Sequence, residues 1–592
     1  MRSRRMLFLL ATVAALVPSA LHAQWRRDGV PLCTVSLIQQ NPAGISDGAG
    51  GAIVVWEDLR EFSANGYDLY AQHVLASGVV DPTWPGNGLA VSNPGGNQAF
   101  PSIVSDGEGG AFVAWEDTRD LGITGYDVYA QHLLSIGTVD PAWPVNGRAV
   151  ITLPPSGPGD AGFRPAIVAD GAGGAIVAWF DNRTSPTTGY DIFASHLLPD
   201  GTLDPAWPAG GTTLSTAPLN QMNPVIASDG AGGAIVAWES QSTGTYATRV
   251  LASGVVAPSW PVNGRHLTTS SFTRQRPRII AIAEGGSPTN GAIVAWEDYR
   301  AGSTNGDIYA QHVLSNGALD PAWQPDGLAV CDTLGQQQRP VLGPDGGTGA
   351  ILAWQDARYG ASDVFAQHVQ SGAVDPAWPA RGRAICLAAG DQLFPAIVSD
   401  GLGGVIVAWQ DARGAGVDIY EQRIQSGGTV DPAWPGDGRL VCGYPFDQYL
   451  PTIVTDGNHG AIVAWQDGRG YGTGTQYDIY AQRTYSNGGV AAAMPANRLA
   501  GLQLLPAFPN PARSVGLTIP IVLPSARPVS VTVLDLTGRH VRTLADRILG
   551  EGRQHVTWDG RDAAGAPLAG GVYFIRAQAG PVSLTQRVVL LR

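Results

Sequence analysis

The sequence contains no lysine. All 36 basic residues are arginine, which we read as a trace of genome base composition rather than of function. Charge is scarce altogether, at 14% of residues, and the formal net charge is −13. With no clustered basic stripe, nucleic acid is excluded as a partner. The low charge comes with an apolar fraction of 44%, and that combination excludes a disordered chain. Apart from one run at the N-terminus there is no long apolar stretch, hence no stable membrane span. Helical periodicity is missing from most of the chain. No H-E-x-x-H, G-x-S-x-G or Cys/His zinc spacing occurs, so no catalytic residue, metal site or cofactor is assigned. Cysteine is reduced to Cys33, Cys331, Cys386 and Cys442, each at the same position of a repeat. Equivalent positions in separate units generally exceed the roughly 7 Å Cα separation a disulfide tolerates. They read as four small buried residues, with a Cys33–Cys442 bridge between neighbouring units left open.

The N-terminal run has the grammar of a secretory signal peptide over residues 1–23. Arg2, Arg4 and Arg5 precede an apolar core from Met6 to Val17, and Ala23 offers a cleavage point. The expected location is secreted or at the cell surface, in a bacterial outer envelope.

What the chain has in abundance is glycine, 78 residues, and repetition. The stretch DGAGGAIVAWFD, Asp170 to Asp181, recurs eight times around Trp56, Trp115, Trp179, Trp238, Trp296, Trp354, Trp409 and Trp465, at intervals of 55 to 64 residues. A period of this size marks one supersecondary unit whose open face is covered by the next copy. Each unit offers four strand-like runs rich in β-branched and aromatic residues and punctuated by Gly, Pro, Asp and Asn. The predicted fold is all-β, an eight-bladed β-propeller over 24–495. A linker over 496–504 then leads to a small Ig-like β-sandwich over 505–592, with about seven short strands expected.

Ring closure is also predicted. The eighth unit lacks the D-P-A-W-P signature that ends the others. QWRRDGVPLC, Gln24 to Cys33, aligns with AWPGDGRLVC, Ala433 to Cys442. The N-terminal strand is therefore expected to complete the last blade beside the strand around Tyr480, removing an exposed edge. A second tryptophan set agrees: Trp84, Trp143, Trp207, Trp260, Trp323, Trp378 and Trp434, with Trp25 as the eighth.

Three motifs bear on function. The D-G-x-G-G loop at Asp47, Asp106, Asp170, Asp229 and Asp400 offers one carboxylate, where calcium wants six to eight oxygens. It reads as a hairpin turn. W-E/Q-D-x-R pairs an Asp and an Arg on one strand face in seven units, as at Asp58/Arg60 and Asp411/Arg413, and Ser240 breaks it in the fourth. Catalysis needs one constellation rather than seven, so the pairs read as structural, as salt bridges or hydrogen bonds between blades. Q-x-x-P precedes the first strand at Gln39, Gln98, Gln221, Gln337, Gln392 and Gln448, with Arg274 at the equivalent place in the fifth unit. First strands line a propeller's channel. These residues, with Phe100, Phe163, Phe394 and Tyr449 beside them, are candidate ligand contacts for sugar hydroxyls at the channel mouth. The competing expectation is that each Gln simply binds backbone. Arg274, Arg276 and Arg278 are also clustered, in what reads as one loop. Loops of variable length fall on the face of the mouth, where a rigid scaffold tends to carry function.

FPNP, LPSARPVSVTVLDLTGRHVRTL and WDGRDAAGAPLAGGVYFIR, within 508–576, resemble the FlgD-type Ig-like domain and the related C-terminal domains of type IX secretion substrates. That resemblance implies a sorting or attachment role. W-x-D-x-R…D-I-Y-A-Q resembles uncharacterised repeats of exported bacterial proteins, which implies no activity. The expected function is non-catalytic recognition by a monomer, with a polysaccharide or a surface protein as partner. A glycan-active enzyme is the alternative, to be distinguished by two carboxylates flanking a scissile bond in the mouth. A purely architectural role is the third, to be distinguished by a blocked channel.

Overall fold

The computed structural model describes residues 25–489 apart from 62–65, 153–162, 184–188, 242, 270–272, 285–289, 415 and 473–476. It also describes 503–591 apart from 505–506, 508–511, 514–516, 524–525, 551 and 581. The signal-peptide assignment at 1–23 and most of the linker at 496–504 lie outside the described residues.

Among these, residues 30–484 form eight antiparallel sheets of four or five strands. The seventh is representative. Gln392–Ser399 pairs with Val405–Asp411, that with Asp418–Ile424, and that with Arg439–Cys442. The second strands run apolar up to the tryptophan and are buried almost throughout, as in Val405–Asp411, buried at every position. A strand covered on both faces needs no alternation, which accounts for the continuous IVAW runs. The eight second-strand tryptophans are 0% exposed. Each core mixes two consecutive sheets: Trp378 of the sixth packs with Val405, Val407 and Trp409 of the seventh.

First strands pack on first strands around the assembly, and Gln448–Thr455 of the eighth packs on Gln39–Ser46 of the first. The arrangement is propeller-like, with the first strands innermost. Val30–Cys33 pairs antiparallel with Asp478–Thr484, placing Val30 opposite Ala481 and Pro31 opposite Tyr480, the partner expected from the alignment. Trp25 Nε1 donates to the Ala76 carbonyl of the first sheet at 3.0 Å, as Trp84 does to Ser135 at 3.2 Å. A Cβ on Gly78, which has φ 81°, would come within 2.7 Å of Trp25, so glycine is required where the indole crosses the turn.

The Asp–Arg pairs act chiefly within a sheet, which corrects the expectation of links between blades. Asp411 accepts from Trp409 Nε1 at 2.7 Å and from Arg413 Nη2 at 2.6 Å, and the Arg413 guanidinium stacks on Tyr420. Links also cross to the preceding sheet: Arg413 Nη2 donates to Cys386 Sγ at 3.0 Å, and that thiol donates to Asp411 Oδ2 at 3.9 Å. The four cysteines are buried and free. Burial pushes the Cys386 thiol up to about 12 against the opposing pull of Arg413.

Beyond the ring, two further sheets share one core. Leu517–Leu523 and Gly552–Trp558 belong to one, and Arg527–Leu534, His540–Leu549, Gly571–Ala579 and Val582–Leu591 to the other. Ile519, Ile521, Val531, Trp558 and Ile575 meet between them. Two short strands, Gln503–Leu504 and Ala512–Arg513, bring the described total to eight.

Candidate functional site

The inner rim is built from one recurring irregularity. In the first sheet Gln39 and Gln40 pair with Asp58 and Glu57, and pairing resumes at Ala43 opposite Val55. Asn41 and Pro42 together face Trp56, so the strand carries a bulge. The same register shift occurs in every first strand except that of the third sheet, Ala166–Ala169, which starts beyond the equivalent residues. At all eight places the residue before the proline is left-handed: Asn41, Phe100, Arg164, Asn223, Arg276, Arg339, Phe394 and Leu450, with φ between 29° and 54°. A non-glycine residue there costs about 1–2 kcal/mol, and its proline neighbour favours extended backbone instead.

The conformation is held from the preceding sheet. In seven sheets the side chain after the second-strand tryptophan, a glutamate or glutamine, accepts the N–H of the next sheet's left-handed residue; in the third sheet Phe180 stands there instead. Phe100 N donates to Glu57 Oε1 at 2.9 Å, Arg276 N to Glu239 Oε2 at 3.1 Å and Arg339 N to Glu297 Oε1 at 2.7 Å. Glutamines do the same at Phe394 and Leu450. Across the seam Asn41 N donates to Gln466 Oε1 at 3.3 Å. Glu116 is raised to about 7 by burial, against the backbone amides of Phe163 and Arg164 that draw it down. Burial likewise raises Glu239, opposed by the Arg276 amide and Asn223.

The left-handed residues and seven of their prolines line a cavity of about 870 Å³, into which Glu57, Glu239 and Arg278 also face. A smaller space of about 270 Å³ continues beneath it along Arg278, Ile279, Val341, Leu342 and Thr452. Two guanidinium groups sit over phenyl rings at the mouth, Arg164 on Phe100 at 4.7 Å and Arg339 on Phe394 at 4.1 Å.

The six glutamines, Arg274 and Tyr449, singled out as ligand contacts, do not line this cavity. Gln39, Gln98, Gln221, Gln337, Gln392 and Gln448 are all 0% exposed. Their Nε2 groups donate to carbonyls of the loop just before the strand, Gln337 to Gly335 at 2.9 Å and Gln392 to Gly390 at 3.0 Å. Arg274 is buried with its Nε on Asp298 Oδ2 at 2.9 Å. Tyr449 is half-buried and donates to Asp447 Oδ2 at 2.8 Å. The bulge is the reason: its extra residue turns the glutamine into its own sheet and the position two further on into the lumen. Of the flanking aromatics, Phe100 and Phe394 do face the cavity, and Phe163 packs against Phe180 instead. Arg276 and Arg278, read as loop residues, lie on the strand Arg274–Ala283. The overlooked signal is in the third letter of Q-x-x-P, which varies as Asn, Phe, Arg or Leu while Gln and Pro recur.

Residues 515–581 match the family model of the FlgD Ig-like domain, so the C-terminal sandwich is Ig-like, as its motifs implied. The search of curated proteins returned no match. Among solved structures, the chain is similar to an α-L-arabinanase of Penicillium chrysogenum complexed with arabinobiose. Identity is 12%, the TM-score 0.35, and coverage 66% of this chain and 93% of that one. It is similar to an α-L-arabinofuranosidase of Fusarium graminearum in complex with an iminosugar inhibitor, at 9% identity and a TM-score of 0.34 over the same shares. It is also similar to PorZ, a bacterial surface component of the type IX secretion system of Porphyromonas gingivalis, at 12% identity and a TM-score of 0.25 over 94% of this chain and 82% of that one. Likenesses at this level carry nothing about activity.

Proposed function

We propose that the chain is an exported recognition protein. Its eight sheets are the blades of a propeller, its channel mouth takes a polysaccharide without cleaving it, and its Ig-like domain serves sorting or attachment. One observation carries this reading: eight strained, side-chain-bearing positions, one from each sheet, converge on a single large cavity. Strain of this kind persists where a scaffold over-determines it and is concentrated at ligand sites. The lining mixes guanidinium, amide and phenyl groups, a set suited to a hydroxylated ligand with stacking support. A second reading, a glycan-cleaving enzyme, is favoured by Glu57 and Glu239, which both line the cavity, with Glu239 held above the ordinary carboxyl range.

A polysaccharide binding screen on the full chain, with released reducing ends measured in the same wells, separates the two. Binding without products is expected, lost in Phe394→Ala. Products that vanish in Glu239→Gln would replace recognition by catalysis. A blank screen would leave the mouth without a glycan role.

A further inference from the structure

Acceptors and donors at the mouth are engaged to different degrees. Glu57 receives the Phe100 amide, Gln40 Nε2 at 3.0 Å and Asn41 Nδ2 at 2.8 Å. Glu239 receives the Arg276 amide and Asn223 Nδ2. Glu297 receives the Arg339 amide at 2.7 Å, Arg276 Nη1 at 2.9 Å and Tyr299 Oη at 2.8 Å. These carboxylates are tied into the ring. The guanidinium groups of Arg278 and Arg339 are not. Neither has a carboxylate at ion-pair distance among the described residues. The side-chain hydrogen bond of Arg278 goes to the carbonyl of its neighbour Pro277 at 3.0 Å.

Arg276, Arg278 and Arg339 share the neighbourhood of Glu297. Arg278 is exposed on its strand, yet desolvation by the surrounding wall, with Arg276 and Arg339 nearby, holds it below the usual guanidinium range, and Arg339 is held below it by desolvation and by Arg276. Gathering like charges in this way works against the fold. Nor does the ring need a cation there. The positions equivalent to Arg278 are Ala43, Ser102, Ala166, Val225, Val341, Ala396 and Thr452. The Arg339 guanidinium sits over the Phe394 ring, its Cζ 4.1 Å from the centroid, and a guanidinium supported in this way can still offer paired N–H groups to a planar oxyanion.

Resting on the recognition reading above, we propose that Arg276, Arg278 and Arg339 form a clamp for an oxyanion substituent, carboxylate or sulfate ester, of an acidic polysaccharide seated in the mouth. The two sources share their chemistry and differ in shape.

The test is calorimetric titration of the full chain with polygalacturonate, dextran sulfate and an uncharged galactan. One acidic polymer is expected to bind at least about tenfold tighter than the neutral one, and which one identifies the substituent. Raising salt from about 50 to about 500 mM should weaken it by a similar factor, since charge contacts open to solvent are screened. Arg278→Ala places in the fifth sheet a residue three others already carry. It should keep or raise the melting temperature while lowering acidic-polymer affinity at least about tenfold, and Arg339→Lys should also weaken binding although charge is kept. Equal or tighter binding of galactan, or unchanged affinity in Arg278→Ala, would overturn the clamp and leave recognition standing. No binding of any of the three, with a blank glycan screen, would overturn both.

Discussion

Aspartates at the ends of the second strands each gather several donors at a fully buried position. Asp411 is 0% exposed and takes Trp409 Nε1, the Arg413 amide at 2.9 Å, Arg413 Nε at 2.8 Å and Nη2 at 2.6 Å. Removing one partner of a buried charge pair leaves the other uncompensated, at about 3–5 kcal/mol. Asp411→Ala is therefore expected to destabilise the chain by that amount in denaturant unfolding. Asp411→Asn should cost less, because it keeps an acceptor for the indole. A loss under about 1 kcal/mol for Asp411→Ala would mean that the pair is idle. The fourth sheet already lives with the gap: Ser240 stands in the aspartate's place, and Trp238 Nε1 has no partner among the described residues. Seven-fold repetition made this role legible in the sequence. The indole that the aspartate holds two residues upstream was not, since i and i−2 on a strand suggest a shared face but no bond.

At the scale of the hairpins, a third-strand side chain holds the constant loops of each sheet, though His312 of the fifth reaches, among the described residues, only Asp320 of the outer loop. His73 lies between Asp47 of the D-G-x-G-G turn and Asp81 of the outer loop, 2.9 Å from each. His132 lies between Asp106 and Asp140 in the same way. Burial works against both charged rings, yet the aspartates outweigh it and hold them above their ordinary value of 6.5. Asp47, Asp81 and Asp106 are held below theirs, the hydrogen bonds they accept outweighing burial. The histidine contribution is complete below about 6.5 and is lost as pH rises through the raised folded values. The aspartate contribution is complete above about 4 and is lost as pH falls through the lowered ones. Melting temperature should therefore peak between about pH 4 and 6.5 and decline towards pH 8.5. Arg249, Arg423 and Arg483 fill the same position in other sheets, each paired with its turn aspartate. The double variant His73→Arg, His132→Arg should shrink the alkaline decline, and an unchanged profile would remove these latches from the account. The hairpin assignment of the D-G-x-G-G loops rested on turn chemistry alone and suited the geometry: Asp47 Oδ1 caps the amides of Ala49 and Gly51. The mouth was misassigned because the same local logic assumes unbroken alternation. A bulge before Pro42 or Pro277 shifts the lumen-facing position from Gln39 or Arg274 to Asn41 or Arg276, and no propensity marks a left-handed phenylalanine or arginine.

For the whole molecule the decisive joint is the seam, where chain ends rather than a hairpin must meet. Arg469 Nη2 donates to the Asp28 carbonyl at 2.6 Å across 441 residues, and Arg60 Nη2 to Cys33 Sγ at 3.2 Å. The second contact repeats Arg413 on Cys386 at an internal joint. That equivalence was visible in the alignment of Gln24–Cys33 with Ala433–Cys442, because the same tryptophan, Asp-Gly and cysteine do the same work at both places. In an open stack of repeats the terminal units are the weak points and need caps. In a closed ring every joint is alike, so the seam should be as strong as the rest. Trp25→Ala and Trp84→Ala are then expected to cost the same within about 1 kcal/mol, each about 3–5 kcal/mol for an excised buried indole. Deleting residues 25–35 should do more than either. It strips the edge of Asp478–Thr484 and leaves Arg469 without its carbonyl, so unfolding should begin at a lower temperature and over a broader range. Adding back a peptide of residues 25–35 should restore the sharp transition. If Trp25→Ala costs nothing while Trp84→Ala costs the full amount, the eighth sheet is not held by the N-terminal strand, and the ring stands by its inner packing alone.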